Sequence, residues 1–341
     1  MLRATGADVK GAASAHGPAW LVQAARIARR FYLDGASKTD IAAETGLSRF
    51  KVARILEEAL AEGLVEVTVR LPADIDADLS AQLAERYRPA QALVVRCADA
   101  RGDASASVRA VVARAAARLL SELVSEDDVL GLTCSRTVAA ATEALTGLEP
   151  CPVVQLSGTL AGPDVEAGSV ESVRRAAQVG GGKAFPIYAP MLLPDARTVE
   201  ALTQQPTIRL VLDEFAAVTV ALVAVGAWQP GLSTVWDSAE PAERRRLSAA
   251  GAVGEIAGRV FDAEGSAVPS ELDGRVLGVG LDRLRRIPQV IGVVHDRRRA
   301  AAAHAALAGG LVDFLVCDDA LARALLTGHA APDETLDRPA S

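Results

Sequence analysis

The sequence predicts an α/β chain with a small all-α unit in front of it, and three observations carry that prediction. Beyond Pro72, short β-rich runs alternate with helical patterns: ALVVR (92–96), DVLGLT (128–133), PVVQLS (152–157), VTVALVAVG (218–226), RVLGVG (275–280), QVIGVV (289–294) and DFLVCD (313–318). Several are almost continuously apolar, as strands are when a parallel sheet is covered on both faces. Helical spacing fills the gaps at 106–124, 136–145 and 298–308, which is the βαβ rhythm of an open sheet. Up to Gly63 the period is three to four, and 341 residues exceed one typical domain.

The expected division is a disordered leader over 1–17, a winged helix-turn-helix unit over 18–71, an α/β unit over 72–330 and a flexible tail over 331–341. In the first unit, Leu21, Ala24, Ala25, Ile27, Ala28, Phe31 and Tyr32 mark one amphipathic helix, which Gly35 ends. Ser37-Lys38-Thr39-Asp40 opens a second helix as a capping box, and that helix runs into Gly46. Ser48 caps a third, whose apolar positions are Phe50 or Val52, then Ala53, Ile55, Leu56, Ala59 and Leu60, with Gly63 at its end. LVEVTVR (64–70) alternates like a half-exposed strand.

Composition narrows the function classes. Half of the residues are hydrophobic but only 4% are aromatic, so the core must be built from Ala, Val and Leu. The net charge of −7 excludes a general basic coat for nucleic acid, though not a local patch. Cys97, Cys134, Cys151 and Cys317 are far apart and form no C-x-x-C, so they read as buried thiols with no metal and no disulfide framework. The most apolar run, 216–228, is too short to span a bilayer, and no signal peptide is evident. These features predict a cytoplasmic protein without cofactors.

One stretch runs against the acidic balance. SRFKVARIL (48–56) places Arg49, Lys51 and Arg54 at the start of the third helix. From Ala36 to Arg54 the cations are Lys38, Arg49, Lys51 and Arg54, and the anions are Asp40 and Glu44. Gly46 permits a left-handed turn, Leu47 plugs the space between two helices, and Ser48 sets Arg49, Phe50 and Lys51 on the first turn. In a helix-turn-helix that turn enters the major groove. Arg49 is placed for a guanine edge, while Ser48, Lys51 and Arg54 are placed for bases or phosphates. Lys38 and Thr39, at the N-terminus of the preceding helix, are placed for phosphate. The competing reading is a solvated cationic face; the capping, turn glycine and following strand favour DNA.

The segment ARRFYLDGASKTDIAAETGLSRFKVARILEEALAEGLVEV resembles the N-terminal domain of SorC/DeoR-type sugar-binding transcriptional regulators. The resemblance continues to about residue 327 through VVQLSGTLAG, SVRRAAQVGGGKAFPIYAP, GAVGEIAGRVFDAEG and LRRIPQVIGVV, in that order. It implies a Rossmann-like effector domain akin to sugar-phosphate isomerases, operator DNA and a small sugar or phosphosugar as partners, and self-association as a dimer or tetramer.

Strand ends are where open α/β sheets bind ligands. Cys134-Ser135-Arg136-Thr137 follows one strand and opens a helix, Ser157-Gly158-Thr159 follows a second, and Gly226 follows a third. The resemblance makes Thr133 to Thr137 a phosphate or hydroxyl cradle, Ser157-Gly158 a second wall, Glu255 an acceptor for sugar hydroxyls, and Arg299 the counterpart of a lysine. It also exposes departures. Members usually carry Trp-Gly where this chain has Cys134-Ser135, and Gly-Gly where it has His295-Asp296, which narrows backbone access to a ligand. Two rival readings follow: a sugar-phosphate isomerase-like enzyme with an added helical unit, and an oligomeric scaffold whose pocket has decayed. For the enzyme, His295-Asp296 is the acid–base candidate. Gly180-Gly181-Gly182-Lys183 lacks Walker spacing and reads as a turn.

Overall fold

A computed structural model describes residues 16–66, 74–97, 104–159 and 168–328. The chain divides into two compact units, 1–70 and 71–341. The expected tail and all but two residues of the expected leader lie outside the described residues, as do 67–70 of the expected wing strand. Leu64, Val65 and Glu66 are described and are not in a strand.

The first unit holds α1 (Pro18–Tyr32), α2 (Lys38–Thr45) and α3 (Arg49–Ala61). Ala24, Ile27 and Ala28 of α1 meet Ile41 of α2 and Val52, Ile55, Leu56 and Ala59 of α3, with Leu47 half-buried at the turn between α2 and α3. Of the two core candidates at the head of α3, Val52 is fully buried, whereas Phe50 is 85% exposed. Both expected caps form. Ser37 Oγ accepts from Asp40 N–H while the Asp40 carboxylate accepts from Ser37, and Gly46 closes α2 at φ 70°. Arg30 of α1 forks onto the Glu44 carboxylate of α2, so one of the two nearby anions is already matched from outside the 36–54 stretch.

The second unit runs, in chain order, α4 (Ala77–Arg86), β1 (Gln91–Val95), α5 (Ala104–Leu123), β2 (Leu130–Leu132), α6 (Arg136–Ala144), β3 (Val153–Gln155), α7 (Gly168–Gly180) and β4 (Ala184–Phe185). It continues with α8 (Ala196–Thr203), α9 (Pro206–Glu214), β5 (Val220–Ala224), β6 (Gly226–Ala227), α10 (Thr234–Ser238), α11 (Pro241–Ala249), β7 (Gly254–Ile256) and β8 (Arg259–Phe261). The last elements are α12 (Glu271–Gly274), α13 (Leu281–Leu284), β9 (Gln289–Val294), a 3₁₀ turn (Arg297–Arg299), α14 (Ala300–Ala308), β10 (Phe314–Asp318) and α15 (Asp319–Thr327).

Seven strands form one parallel sheet in the order β1-β10-β9-β5-β2-β3-β4. Both faces are covered, as the apolar runs predict. Along β5, Val220 and Leu222 pack on one face and Ala221 and Val223 on the other; along β10, Leu315 and Cys317 oppose Val316. Helices α5, α6 and α7 cover the first face, and α4, α9, α14 and α15 the second. After β2 the chain steps outward to β3 and β4, then returns to β5 on the other side of β2. The strand order therefore reverses between β2 and β5, and a crevice opens at such a switch point.

Two expected strands differ. VTVALVAVG is split at Val225: β5 belongs to the large sheet, while β6 pairs with β7 in a three-stranded antiparallel sheet. RVLGVG forms no strand, only the isolated bridges Leu192–Val276 and Ser157–Gly278. Its apolar residues serve two cores, Val276 packing with the small sheet and Leu277 and Val279 with the large one. The expected helix over 298–308 opens as the 3₁₀ turn. The glycine-rich stretch is a turn, with Gly180 closing α7 and Gly181 at φ 70°.

Candidate functional site

Each unit brings one set of polar groups together. In the first, Ser48 Oγ accepts from Lys51 N–H at 3.2 Å and fixes the first turn of α3. Arg49, Phe50 and Lys51 are all exposed on that turn. Arg54 lies one turn on and reaches Glu58 at 3.4 Å. Among the described residues, Arg49 and Lys51 have no ion pair. Lys38 stands over the Phe31 ring at 5.6 Å, which ties it to α1, while Thr39 is exposed. A local anion is also engaged: Asp40 is held in the capping box, and hydrogen bonds from Ser37 keep its carboxyl below the usual range.

In the second unit, a cavity of about 100 Å³ opens at the carboxyl ends of β2, β5 and β9, where the strand order reverses. Of the ten positions expected to face an effector, Ser135, Arg136, Thr137, Gly226, Glu255 and Arg299 line it. Ser135 Oγ caps α6 by accepting from Val138 N–H at 3.0 Å, so the N-terminus of α6 faces the opening. The other four stand behind the wall. Thr133 Oγ1 accepts from Ala224 N–H, and Ser157 Oγ accepts from Cys134 N–H at 3.1 Å, joining neighbouring strand ends. A side chain at Gly158 would come within 2.6 Å of the Ala189 carbonyl oxygen, so that glycine serves backbone packing.

Glu255 projects from β7 into the floor. Its carboxylate accepts from Ser233 Oγ at 3.2 Å and from Gly258 N–H at 3.1 Å. Burial pushes its carboxyl up, against the pull of these two donors and of Arg299. Gly226 leaves the space that the Glu255 carboxylate occupies, and a Cβ there would collide with Oε1. The β7–β8 hairpin turns through Ala257 and Gly258, both at positive φ, and that turn presents the Gly258 N–H.

Opposite Glu255 stands a cluster of cations: Arg299 and Arg109 are half-buried, and Arg136 and Arg298 lie at the exposed mouth. Burial lowers the Arg299 guanidinium, and Arg298 and Arg136 add to this while Asp296 opposes them. Arg299 donates to the His295 carbonyl at 2.7 Å. The His295 imidazole is pushed down to about 4, first by burial and then by Arg299 and Arg109, so it is neutral at pH 7. Asp296 is strained. Its backbone sits at φ 80° and ψ 118°, a conformation L-residues rarely adopt, with its N–H on Asp318 Oδ1 at 2.9 Å. The backbone thus takes a glycine-like bend at an aspartate. The Asp296 carboxylate is taken by Arg298 at 2.6 Å. Burial raises that carboxyl, but the Arg298 hydrogen bonds outweigh it and leave it low.

His295 and Asp296 make no hydrogen bond to each other, so the acid–base pair weighed from the sequence is not assembled. Sequence reading also passed over Arg109, Ser233 and Thr234. Arg109 lies in an unremarkable helical pattern, and the 231–234 loop carries no motif; only the fold carries them to the cavity.

The described residues contain no grouping of His, Cys, Asp and Glu suited to a metal ion, and no helix long and apolar enough to cross a membrane. The family described as "Putative sugar-binding domain" matches residues 72–327. The transcriptional regulator YjhU of Escherichia coli K12, itself uncharacterized, is 28% identical over 302 residues, covering 87% of this chain and 92% of that protein. The transcriptional regulator LsrR of Klebsiella pneumoniae is 28% identical over 306 residues, covering 89% and 92%. The full-length sorbitol operon regulator SorC of Klebsiella pneumoniae shares the fold with a TM-score of 0.68 at 20% identity, covering 90% of this chain and 99% of that one. With residues 72–327 matched and the parallel sheet inside that span, the chain belongs to the sugar-binding domain family, and it shares its fold with the SorC regulator.

Proposed function

We propose that this protein is a cytoplasmic transcriptional regulator that binds operator DNA through α2 and α3, and that a small phosphorylated sugar in the cavity controls the affinity. The observation that carries the proposal is the pairing inside the cavity. Arg299, Arg109 and Arg136, with the N-terminus of α6, suit an anionic group. Glu255 stands across from them as an acceptor for hydroxyls. A phosphosugar has both chemistries in one small molecule. Lys38, Thr39, Ser48, Arg49, Phe50, Lys51 and Arg54 form the DNA face, used in duplicate by a dimer or tetramer on a symmetric operator. Effector binding changes operator affinity only by as much as it prefers one arrangement of the subunits over the other.

A regulator of this kind is expected to return the phosphosugar unchanged, in keeping with an Asp296 carboxylate that pairs with Arg298 and not with His295. The test selects genomic fragments with the full chain and titrates the selected duplex with and without sugar phosphates. Sequence-selective binding that shifts with one phosphosugar, which is recovered unchanged, is the expected result. Consumption of the phosphosugar, or no selective binding, would overturn the reading.

A further inference from the structure

The cations of α3 account for attraction to DNA, but Phe50 has no counterpart in that account. It is 85% exposed, more than Val22, Tyr188 or Leu210, the next most exposed large apolar side chains among the described residues. At about 100° per residue, the buried positions Val52, Ile55, Leu56 and Ala59 lie on the side of α3 opposite Phe50. The ring therefore points away from the core of its unit. Arg54 follows on the same stripe one turn later, and Arg49 and Lys51 flank it. Ser48, anchored to Lys51 N–H, holds this turn in place.

We propose that Phe50 is a specificity-determining residue that packs on the 5-methyl group of a thymine in the major groove. The inference rests on the DNA-binding reading above and deepens it. A phenyl ring has no hydrogen-bonding group to match a base edge, and the thymine methyl is the one apolar feature of the major-groove code. The flanking cations bring phosphate close enough for the ring to enter the groove. A second copy of this chain is a poor occupant, because an isologous contact here sets Arg49, Lys51 and Arg54 against their own copies.

The experiment takes a duplex selected by the full chain from a random pool and replaces each thymine in turn by deoxyuridine, which removes only the methyl group. At one position per half-site, the native chain should lose about three- to tenfold in affinity. Phe50→Ala should bind the unmodified duplex more weakly by the same factor and be indifferent to deoxyuridine there. Phe50→Leu should restore part of the methyl dependence. Equal binding of all deoxyuridine duplexes by the native chain would overturn the assignment. So would a methyl preference surviving in Phe50→Ala, or a changed oligomeric state of that variant in sedimentation. Failure to select any sequence would instead sink the DNA-binding reading itself, and the assignment with it.

Discussion

The two cationic clusters of this chain use the same side chains under opposite conditions. Arg49 and Lys51 stand in solvent on a helix whose core lies behind them, while Arg299 is packed among Arg109, Arg136 and His295 at a strand end. Exposed cations are hydrated and screened, so they contribute mainly when a polyanion releases its counterions. Packed cations oppose one another in the cavity, so burial and like charges lower Arg299 and His295. The first cluster is suited to a long, salt-sensitive surface, the second to one small anion that relieves its repulsion.

Experiments on either cluster test that contrast. Replacing Arg49 and Lys51 together by Ala should cost several hundredfold in operator affinity, about 4 kcal/mol, and lower the slope of log affinity against log salt by about 1 to 2. Titration at several salt concentrations checks this, and an unchanged slope would remove these residues from the phosphate and base contacts.

His295 should report on the cavity through pH. Its native pKa of about 4 lies below the ordinary 6.5, so on acidification the unfolded chain takes up the proton first. Stability is thus expected to fall between pH 6.5 and 4, with His295 contributing about 3 kcal/mol at most. Melting curves across that window should show a shallower decline for His295→Gln; parallel declines would contradict the packed-cation picture.

Gly158 separates ligand contact from packing. With an Ala189 carbonyl 2.6 Å from a new Cβ, Gly158→Ala should lower stability by about 2 kcal/mol with no ligand present. A variant that melts normally but no longer responds to phosphosugars would return Gly158 to the cavity wall. The smallest effect belongs to Ser48→Ala. Loss of its hydrogen bond to Lys51 N–H should cost about 1 kcal/mol in thermal unfolding of the first unit.

Much of the architecture was legible because local chemistry repeats. QVIGVV is β9 residue for residue, and the capping serines and Gly46 mark α2 and α3 within a residue. The antiparallel sheet was not legible: β6 is two residues long and continues an apolar run, so no periodicity separates it from β5. Phe50 and Val52 could not be ranked by spacing alone until the packing against α1 showed which one faces the core. In the cavity, six of the ten positions taken from strand-end loops and from the resemblance meet. Ser135 to Thr137, Gly226, Glu255 and Arg299 converge, whereas Thr133, Cys134, Ser157 and Gly158 lie behind them.

The two units, the capped third helix with its three cations and the parallel sheet follow from local chemistry, because caps, turn glycines and apolar runs act on neighbours a few residues away. Only the tertiary structure decided which loops meet: Arg109, Ser135, Ser233, Glu255 and Arg299 come from distant parts of the chain, and the reversal of strand order between β2 and β5 is what opens a cavity for them. The glycine-like bend at Asp296 is of the same kind. Its hydrogen bond to Asp318 on the neighbouring strand holds a backbone conformation that an aspartate would not choose on its own.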